Sequence, residues 1–151
     1  MDKFLDVCKP VMTRRGRPYR EAKIDPEGKI VLVDGSSKRQ DQLLPTDEIA
    51  LEDVPVGRLM VLALDKADDK LTAEERRKRF VLSTKIEEAL EEELDLKTSS
   101  EDRKRIEAAA DLITNNHMFL YRIHEALELA APAEKPRVKV KANGVEAANQ
   151  A

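Results

Sequence analysis

The sequence is poor in cysteine and in aromatic residues. It has one cysteine, Cys8, no tryptophan, two tyrosines and three phenylalanines in 151 residues. Because a single thiol cannot form an intramolecular disulfide, the sequence excludes a small secreted domain held together by disulfides. Because aromatic residues make up only 3% of the chain, we expect the core to consist of Leu, Ile, Val and Ala.

Long apolar runs are missing as well. The longest, Leu59–Leu64, has six residues, far fewer than the roughly 20 that a transmembrane helix needs. Residues Met1–Asp6 lack the apolar segment and the small-residue cleavage site of a secretory signal. We therefore expect a soluble protein of a reducing cytoplasm, without a membrane partner.

Side chains suited to catalysis are scarce. The only histidines, His117 and His124, are two helical turns apart, about 10 Å along an axis, which is too far for one metal ion without another segment. Cys8 has no neighbouring base or glycine-rich elbow, so a structural thiol is the simpler interpretation. We expect no enzymatic activity, no cofactor, no metal and no small-molecule substrate.

The spacing of apolar and turn residues predicts an α+β fold, with an N-terminal β-hairpin packed on about four short amphipathic helices. Asp25–Gly28 forms the hairpin turn, and residues 36–46 form a loop. Helix starts are marked by the capping residues Asp53, Thr72, Ser99 and either Asn115 or Asn116. The predicted bounds are about 22–33 for the hairpin and about 54–65, 73–92, 101–114 and 117–130 for the helices.

The last 21 residues differ from the rest of the chain. Residues 131–151 are rich in Ala, contain Pro, and carry four basic against two acidic side chains. They show no periodic apolar face, which is typical of a segment that cannot bury a core. The sequence therefore predicts a single domain over 1–130 followed by a mobile tail over 131–151.

Charge is plentiful and segregated. Charged residues make up 38% of the chain, and 27 Lys and Arg face 30 Asp and Glu, for a net charge of −3. This balance argues against a wholly basic nucleic-acid binder but permits a local basic face. The candidate basic segment lies near the N-terminus and combines arginines with an aromatic ring that could stack on a base: Arg14, Arg15, Arg17, Tyr19 and Arg20.

The predicted helix over 73–92 carries the second charged cluster. Glu74–Lys78 and Glu75–Arg79 are spaced as favourable i,i+4 ion pairs. Phe80 lies about 200° around the helix from Leu82, so the helix is either sandwiched or leaves Phe80 for a partner. The C-terminal half carries Glu87, Glu88, Glu91 and Glu92, which oppose the helix dipole. Such a cluster is either a solvated surface or a contact for a basic partner.

Several segments resemble small uncharacterised proteins of tailed bacteriophages. The resemblance covers about residues 50–129, and its segments are Ala50–Val54, Leu71–Arg76, Arg79–Leu82 with Lys85-Ile86, Leu94–Leu96 and Tyr121–Glu128. It implies a phage origin and a small, non-enzymatic helical module, and it assigns no site residue. The basic N-terminal segment and the tail depart from that pattern.

These observations predict a bacteriophage protein that acts by protein–protein interaction. It would be a virion or assembly component, or a modulator of a host or phage protein, found in the host cytoplasm or in the virion. We expect a protein partner or self-association, with Phe80 and Glu87, Glu88, Glu91 and Glu92 as contact residues. The alternative is a nucleic-acid-binding regulator that uses the basic N-terminal segment.

Overall fold

A computed structural model describes residues 1–66, 68–113 and 116–132. Four helices and seven short strands confirm the predicted α+β class. Most of the predicted tail, residues 133–151, lies outside the described residues, and so does Asn115. The elements in chain order are β1 (Lys3–Leu5), β2 (Arg20–Ala22), β3 (Ile30–Val31), β4 (Ser37–Lys38), β5 (Leu51–Asp53), α1 (Val56–Asp65), α2 (Ala73–Glu92), β6 (Leu96–Thr98), α3 (Ser100–Ile113), α4 (His117–Glu128) and β7 (Ala131–Pro132).

The chain divides into two compact units, a division that the sequence analysis did not make. The first contains Met1–Val11 and the chain from Pro55 onward, and the second contains Met12–Val54. The first unit holds all four helices and a three-stranded sheet. The second unit holds β2, β3, β4, β5 and a short 3-10 helix, Gln40–Gln42.

Helix α1 is the centre of the first unit and packs against the three other helices. It is short and buried on almost every side, and its buried residues are Val56, Gly57, Leu59, Met60, Val61, Ala63 and Leu64. The core around it is aliphatic, as the composition predicts, and includes Leu5, Val7, Val11, Leu82, Ile86, Ile106, Ala109, Ala110 and Ile123. The largest fully buried side chains of this unit come from strand β1, the segment after it, strand β6 and all four helices.

The start of α1 differs from its prediction because backbone groups replace the expected side-chain cap. The amide of Val56 donates to the carbonyl of Lys9, and the amide of Gly57 donates to that of Val7, both at 2.8 Å. These bonds satisfy amides that a capping side chain otherwise serves. Asp53 is therefore not the cap. It lies in β5, and Pro55 stands at the N-cap position without a side-chain cap.

The three-stranded sheet of the first unit has β1 at its centre and is antiparallel throughout. Its order is β6-β1-β7, with Phe4 opposite Lys97 on one side and opposite Ala131 on the other. Ala131–Pro132 thus pairs with β1 rather than belonging to a mobile tail, which corrects the prediction for these two residues. Their pairing depends on a strand more than 120 positions earlier, so no local pattern indicates it.

The caps of the other helices follow the predicted residues. Ser99 and Asp102 form a complete capping box, with Oγ accepting from the Asp102 amide at 3.1 Å and the carboxylate accepting from the Ser99 amide at 3.0 Å. Thr72 Oγ1 accepts from the Glu75 amide at 3.1 Å. Asn116 caps α4 through the amides of Met118 and Phe119. The observed bounds of α2, α3 and α4 therefore lie within two residues of the predicted ones.

The second unit is organised around three chain segments that bond to one another in a ring. The amide of Lys23 donates to the carbonyl of Ala50, the amide of Ala50 to that of Val31, and the amide of Val31 to that of Lys23, each at 2.9 Å. The predicted hairpin is present at the Ile24–Ile30 bridge, but β2 pairs with β5 along its whole length. The predicted loop 36–46 contains β4 and the 3-10 helix, because β4 pairs with β3.

Aspartates hold the turns of the second unit. Asp25 accepts from the amides of Lys29 and Glu27, Asp34 from the hydroxyl and amide of Ser36, and Asp47 from the amide of Leu44 and the ammonium of Lys38. These bonds favour the charged carboxylate. They lower the pKa of all three groups below the ordinary 3.8, chiefly through the Lys29 amide, the Ser36 hydroxyl and the Leu44 amide respectively.

Candidate protein-binding face of helix α2

Helix α2 has one buried side and one outward side. The buried side packs the helix into the first unit and consists of Arg79, Leu82, Ser83, Ile86 and Ala89. At about 100° per residue, eight residues fall within an arc of about 120° on the opposite side, namely Ala73 in the first turn and seven residues from Arg77 onward. We call these seven the outward face of α2: Arg77, Phe80, Val81, Thr84, Glu87, Glu88 and Glu91.

Two large apolar side chains lie in the middle of the outward face. Phe80 is 67% exposed and Val81 is 46% exposed. The exposure of Phe80 agrees with its predicted orientation away from Leu82. Of the other five residues on this face, four are exposed and Thr84 is half-buried. Phe80 and Val81 therefore form an apolar centre with charged residues on both sides along the helix.

The ion pairs at the start of α2 differ in part from the prediction. Glu74 pairs with Lys78 at 3.2 Å, as expected. Glu75 pairs with Arg105 of α3 at 2.7 Å, so the predicted Glu75–Arg79 pair is wrong. The Arg105 side chain is only 16% exposed, and this burial strengthens its attraction to Glu75. Arg79 instead lies on the buried side of α2.

The charges on the outward face form no ion pair within the part of the chain that the structure describes. Over the described residues 1–66, 68–113 and 116–132, neither Arg77 nor the four predicted glutamates, Glu87, Glu88, Glu91 and Glu92, form an ion pair. Lys85, beside this face, has none either. The structure thus places the predicted glutamates on the same side of α2 as Phe80, with Glu92 at the edge.

The sequence analysis missed Arg77 as a member of this face. Its position, three residues before Phe80 and seven before Thr84, indicates the common stripe. It belongs to a run of four basic residues, Arg76–Arg79, whose spacing from Glu74 and Glu75 predicts a self-paired helix surface. In the structure Lys78 is paired with Glu74, and Arg76 donates to the carbonyl of Leu71 at 3.0 Å. Arg77 is left as the exposed cation of that run without an ion pair among the described residues.

A cavity of about 320 Å³ adjoins the first half of α2. It is lined by Leu64, Asp65, Lys66, Asp68, Asp69, Leu71, Arg76, Arg79 and Phe80. Arg79 is 6% exposed, and its Nε has no hydrogen-bond partner among the described residues. A buried N–H donor without a partner is unfavourable, so this Nε destabilises the fold locally. The stem of Arg79 fills the α2 side of the core in place of an aliphatic residue.

The predicted basic segment becomes an exposed turn in the second unit. Thr13 and Arg17 close the turn through a 2.7 Å backbone hydrogen bond, and Gly16 has a φ of 76°. Arg14, Arg15 and Arg17 are all exposed there. The other two predicted residues are engaged elsewhere. Tyr19 is half-buried, and Arg20 binds Asp53 at 2.9 Å.

The histidines and the cysteine lie apart from α2's outward face. His124 is 3.5 Å from Asp111 and 3.9 Å from Glu107, whereas His117 is exposed at the start of α4. Within the described ranges, no group of three or more His, Cys, Asp or Glu side chains could hold a metal ion. Cys8 is half-buried, with Sγ 3.9 Å from the carbonyls of Ala89 and Leu94.

Comparison of the chain with protein-family models, with curated proteins and with solved structures finds no match. In the part of the chain that the structure describes, no helix combines the length and apolar character needed to cross a membrane. The chemistry of the surface itself is therefore the guide to function.

Proposed function

We propose that this chain is a non-enzymatic protein that acts through protein–protein contact and binds its partner with the outward face of α2. The observation that carries the proposal is the exposure of Phe80, 67%, between charges that have no partner among the described residues. A phenylalanine at a binding surface supplies large, rigid contact area. Aromatic anchors of this kind carry much of the energy of protein interfaces.

The free energy that a partner would gain by burying Phe80 supports a role for this residue in binding. Full burial of a phenylalanine stabilises by about 1.5–3 kcal/mol relative to leaving it in water. Most of that stabilisation is unused while Phe80 stands two-thirds exposed. The flanking charges set the orientation and selectivity of a partner more than the affinity. Arg77 and Glu88 lie on opposite sides of the apolar centre along the helix, so they favour a partner with a matching charge order.

A phage origin is part of the same proposal. It depends on the resemblance over residues 50–129, and it places the protein in the host cytoplasm or in the virion. In either place the protein would act as an assembly component or as a modulator of a host or phage protein.

A binding role suits the second unit as well. Leu32 and Val54 are its only buried hydrophobic residues, whereas Ile24, Val33, Leu44 and Leu51 are more than half exposed.

Nucleic-acid binding is the second candidate function. The observation that favours it is the clustering of Arg14, Arg15 and Arg17 on one exposed turn. Cations grouped in this way can neutralise adjacent phosphates. The net charge of −3 and the ion pair that occupies Arg20 weigh against it. We therefore rank it below protein contact.

Site-specific photocrosslinking tests the proposed function. Phe80 is replaced by a photoreactive benzoyl-phenylalanine, and the cells that produce the protein are irradiated. The matched control places the same residue at Tyr121, an aromatic on α4 that is 59% exposed and lies against Arg122. We expect a discrete adduct from position 80 and none from position 121. Equal yields at both positions, or no adduct at position 80, would contradict the proposal.

A further inference from the structure

We infer that the cavity beside the first half of α2 is a binding site for a small organic acid, an apolar molecule that carries one carboxylate. Arg79 binds the carboxylate, and Leu64, Leu71 and Phe80 contact the apolar part. All the lining residues belong to the first unit. The inference is independent of the protein partner of α2, although Phe80 takes part in both sites.

Arg79 is a buried donor that the fold itself does not satisfy. The residue is 6% exposed, and its Nε has no hydrogen-bond partner among the described residues. Within the ranges 1–66, 68–113 and 116–132 it forms no ion pair either. Because nearly all buried polar groups in proteins are hydrogen-bonded, an exception calls for an explanation. A bound acceptor explains why an arginine occupies a position where an apolar side chain of similar volume is no less stable.

The chemistry of the guanidinium selects a carboxylate. A guanidinium is charged at all ordinary pH, and its planar fork of N–H donors matches the two oxygens of a carboxylate. Nε contributes one donor to that fork. Hydrogen bonds between charged groups are shorter and stronger than those to a neutral acceptor, and a low local dielectric strengthens them further. Arg79 therefore favours a carboxylate over an amide or a hydroxyl group.

The other charges around the cavity favour a ligand with a single negative charge. The lining is formally neutral, because it contains three cations and three acids: Lys66, Arg76, Arg79, Asp65, Asp68 and Asp69. Asp65 and Asp69 are exposed and Asp68 is half-buried, so water weakens their repulsion of an anion. Arg79 is buried, so its attraction is weakened least. A dianion such as phosphate would lose more hydration for the same guanidinium.

The volume and the apolar side chains define the rest of the ligand. The cavity of about 320 Å³ lies at the lower limit of small-molecule sites, which is roughly 300 Å³. Leu64 is buried, Leu71 is half-buried and Phe80 is 67% exposed. An apolar group placed against these side chains also covers part of the Phe80 ring. Phenylacetate combines an aromatic ring with one carboxylate, and it is therefore a suitable probe.

A ¹H–¹⁵N NMR titration of the full chain with phenylacetate tests the inference. We expect the Nε–H signal of Arg79 and the amide signals of Leu64, Leu71 and Phe80 to shift along one binding curve. The expected dissociation constant is roughly 0.1–10 mM, as is usual for so small a ligand. Phenylacetamide has nearly the same shape without the charge and should bind about tenfold more weakly or worse. Acetate has the charge without the ring and should also bind about tenfold more weakly or worse.

R79M supplies the matching test on the protein, because it removes the donors and nearly preserves the volume. We expect phenylacetate to bind to R79M about tenfold more weakly or worse than to the wild type. R77M is the control. It removes an exposed guanidinium of the same helix that does not line the cavity, so the affinity should stay within about twofold.

Absence of shifts around the cavity at about 20 mM phenylacetate overturns the inference. Equal affinity for phenylacetamide overturns it as well, and this comparison uses the wild type, so it does not depend on the folding of R79M. Undiminished binding to R79M would show an apolar cavity without an anion site. A capped phenylalanyl-glutamate dipeptide that binds about tenfold more tightly than phenylacetate would assign the carboxylate to a protein partner and overturn the assignment to a small acid.

Discussion

Replacing Gly57 by alanine should destabilise the protein, although alanine is the better helix former. Gly57 lies in the first turn of α1, where its amide donates to the carbonyl of Val7 at 2.8 Å. A Cβ at this position would stand 2.8 Å from both the Cβ and the carbonyl oxygen of Val7, and 3.1 Å from Cγ2 of Ile86. Val7 and Ile86 are both fully buried, so neither can move into solvent.

The change in the free energy of unfolding follows from one favourable effect and two unfavourable ones. Exchange of glycine for alanine in a helix interior gains about 0.5–1 kcal/mol, and less in a first turn. Forcing a methyl group into a well-packed core costs about 1–3 kcal/mol. Part of the 2.8 Å hydrogen bond to Val7 is also lost, which costs about 1 kcal/mol. We therefore expect G57A to lower the free energy of unfolding by about 1–3 kcal/mol.

Urea unfolding followed by far-UV circular dichroism measures this difference. The matched control is L62A, on the same helix but at a side chain 61% exposed, where a change within about 0.5 kcal/mol is expected. A G57A variant as stable as the wild type, or more stable, would refute the claim that α1 needs glycine for its approach to Val7.

Three further predictions concern other parts of the chain. R79M should leave the free energy of unfolding unchanged or raise it by about 1–2 kcal/mol, because it removes a buried Nε without a partner among the described residues and keeps the volume. A loss above about 2 kcal/mol in urea unfolding would show that the rest of the guanidinium makes a stabilising contact. The second unit should have its full stability above pH 3.8 and lose stability as the pH drops through the lowered pKa values of its turn carboxylates. Carboxyl-carbon NMR titration measures these pKa values at Asp25, Asp34 and Asp47. A pKa at or above 3.8 would contradict the observed hydrogen bonds. If the chain binds DNA, affinity should fall steeply with salt and be lost in a triple alanine variant in a mobility-shift assay, and binding that survives this variant excludes the exposed turn formed by Arg14, Arg15 and Arg17.

The helices were predictable because their signals are local. Apolar spacing and capping residues such as Thr72, Ser99 and Asn116 lie within a few positions of the helix that they define. The exposure of Phe80 followed from the same periodicity. By contrast, the predicted α1 cap at Asp53 was wrong. The carbonyls that accept from the first amides of α1 come from the segment after β1, more than 45 positions away.

The strands and the division into two units were less predictable for the same reason. β1 pairs with β6 and β7, and the ring of hydrogen bonds in the second unit joins Lys23, Val31 and Ala50. None of these partners leaves a pattern in a short window of sequence. The prediction of a Glu75–Arg79 pair failed for the same reason, since the actual partner of Glu75, Arg105, lies on another helix.

For the outward face of α2, the sequence predicted the acidic end and the aromatic centre but not the cation that completes it. Arg77 is one of four consecutive basic residues, and only the structure distinguishes their roles. Arg79 is buried, Lys78 is paired with Glu74, and Arg76 donates to a backbone carbonyl. Arg77 alone faces outward without an ion pair among the described residues.

The most direct test of the account is a photocrosslinking scan along α2 of the full chain. We predict that a photoreactive benzoyl-phenylalanine at Phe80, Thr84 or Glu88 gives one shared adduct with the same protein, because all three residues lie on the outward face. The same residue at Tyr121 or at Arg15 should give none. Absence of adducts along α2, or adducts that cluster on α4 or on the second unit, would contradict the claim that a protein partner covers this face.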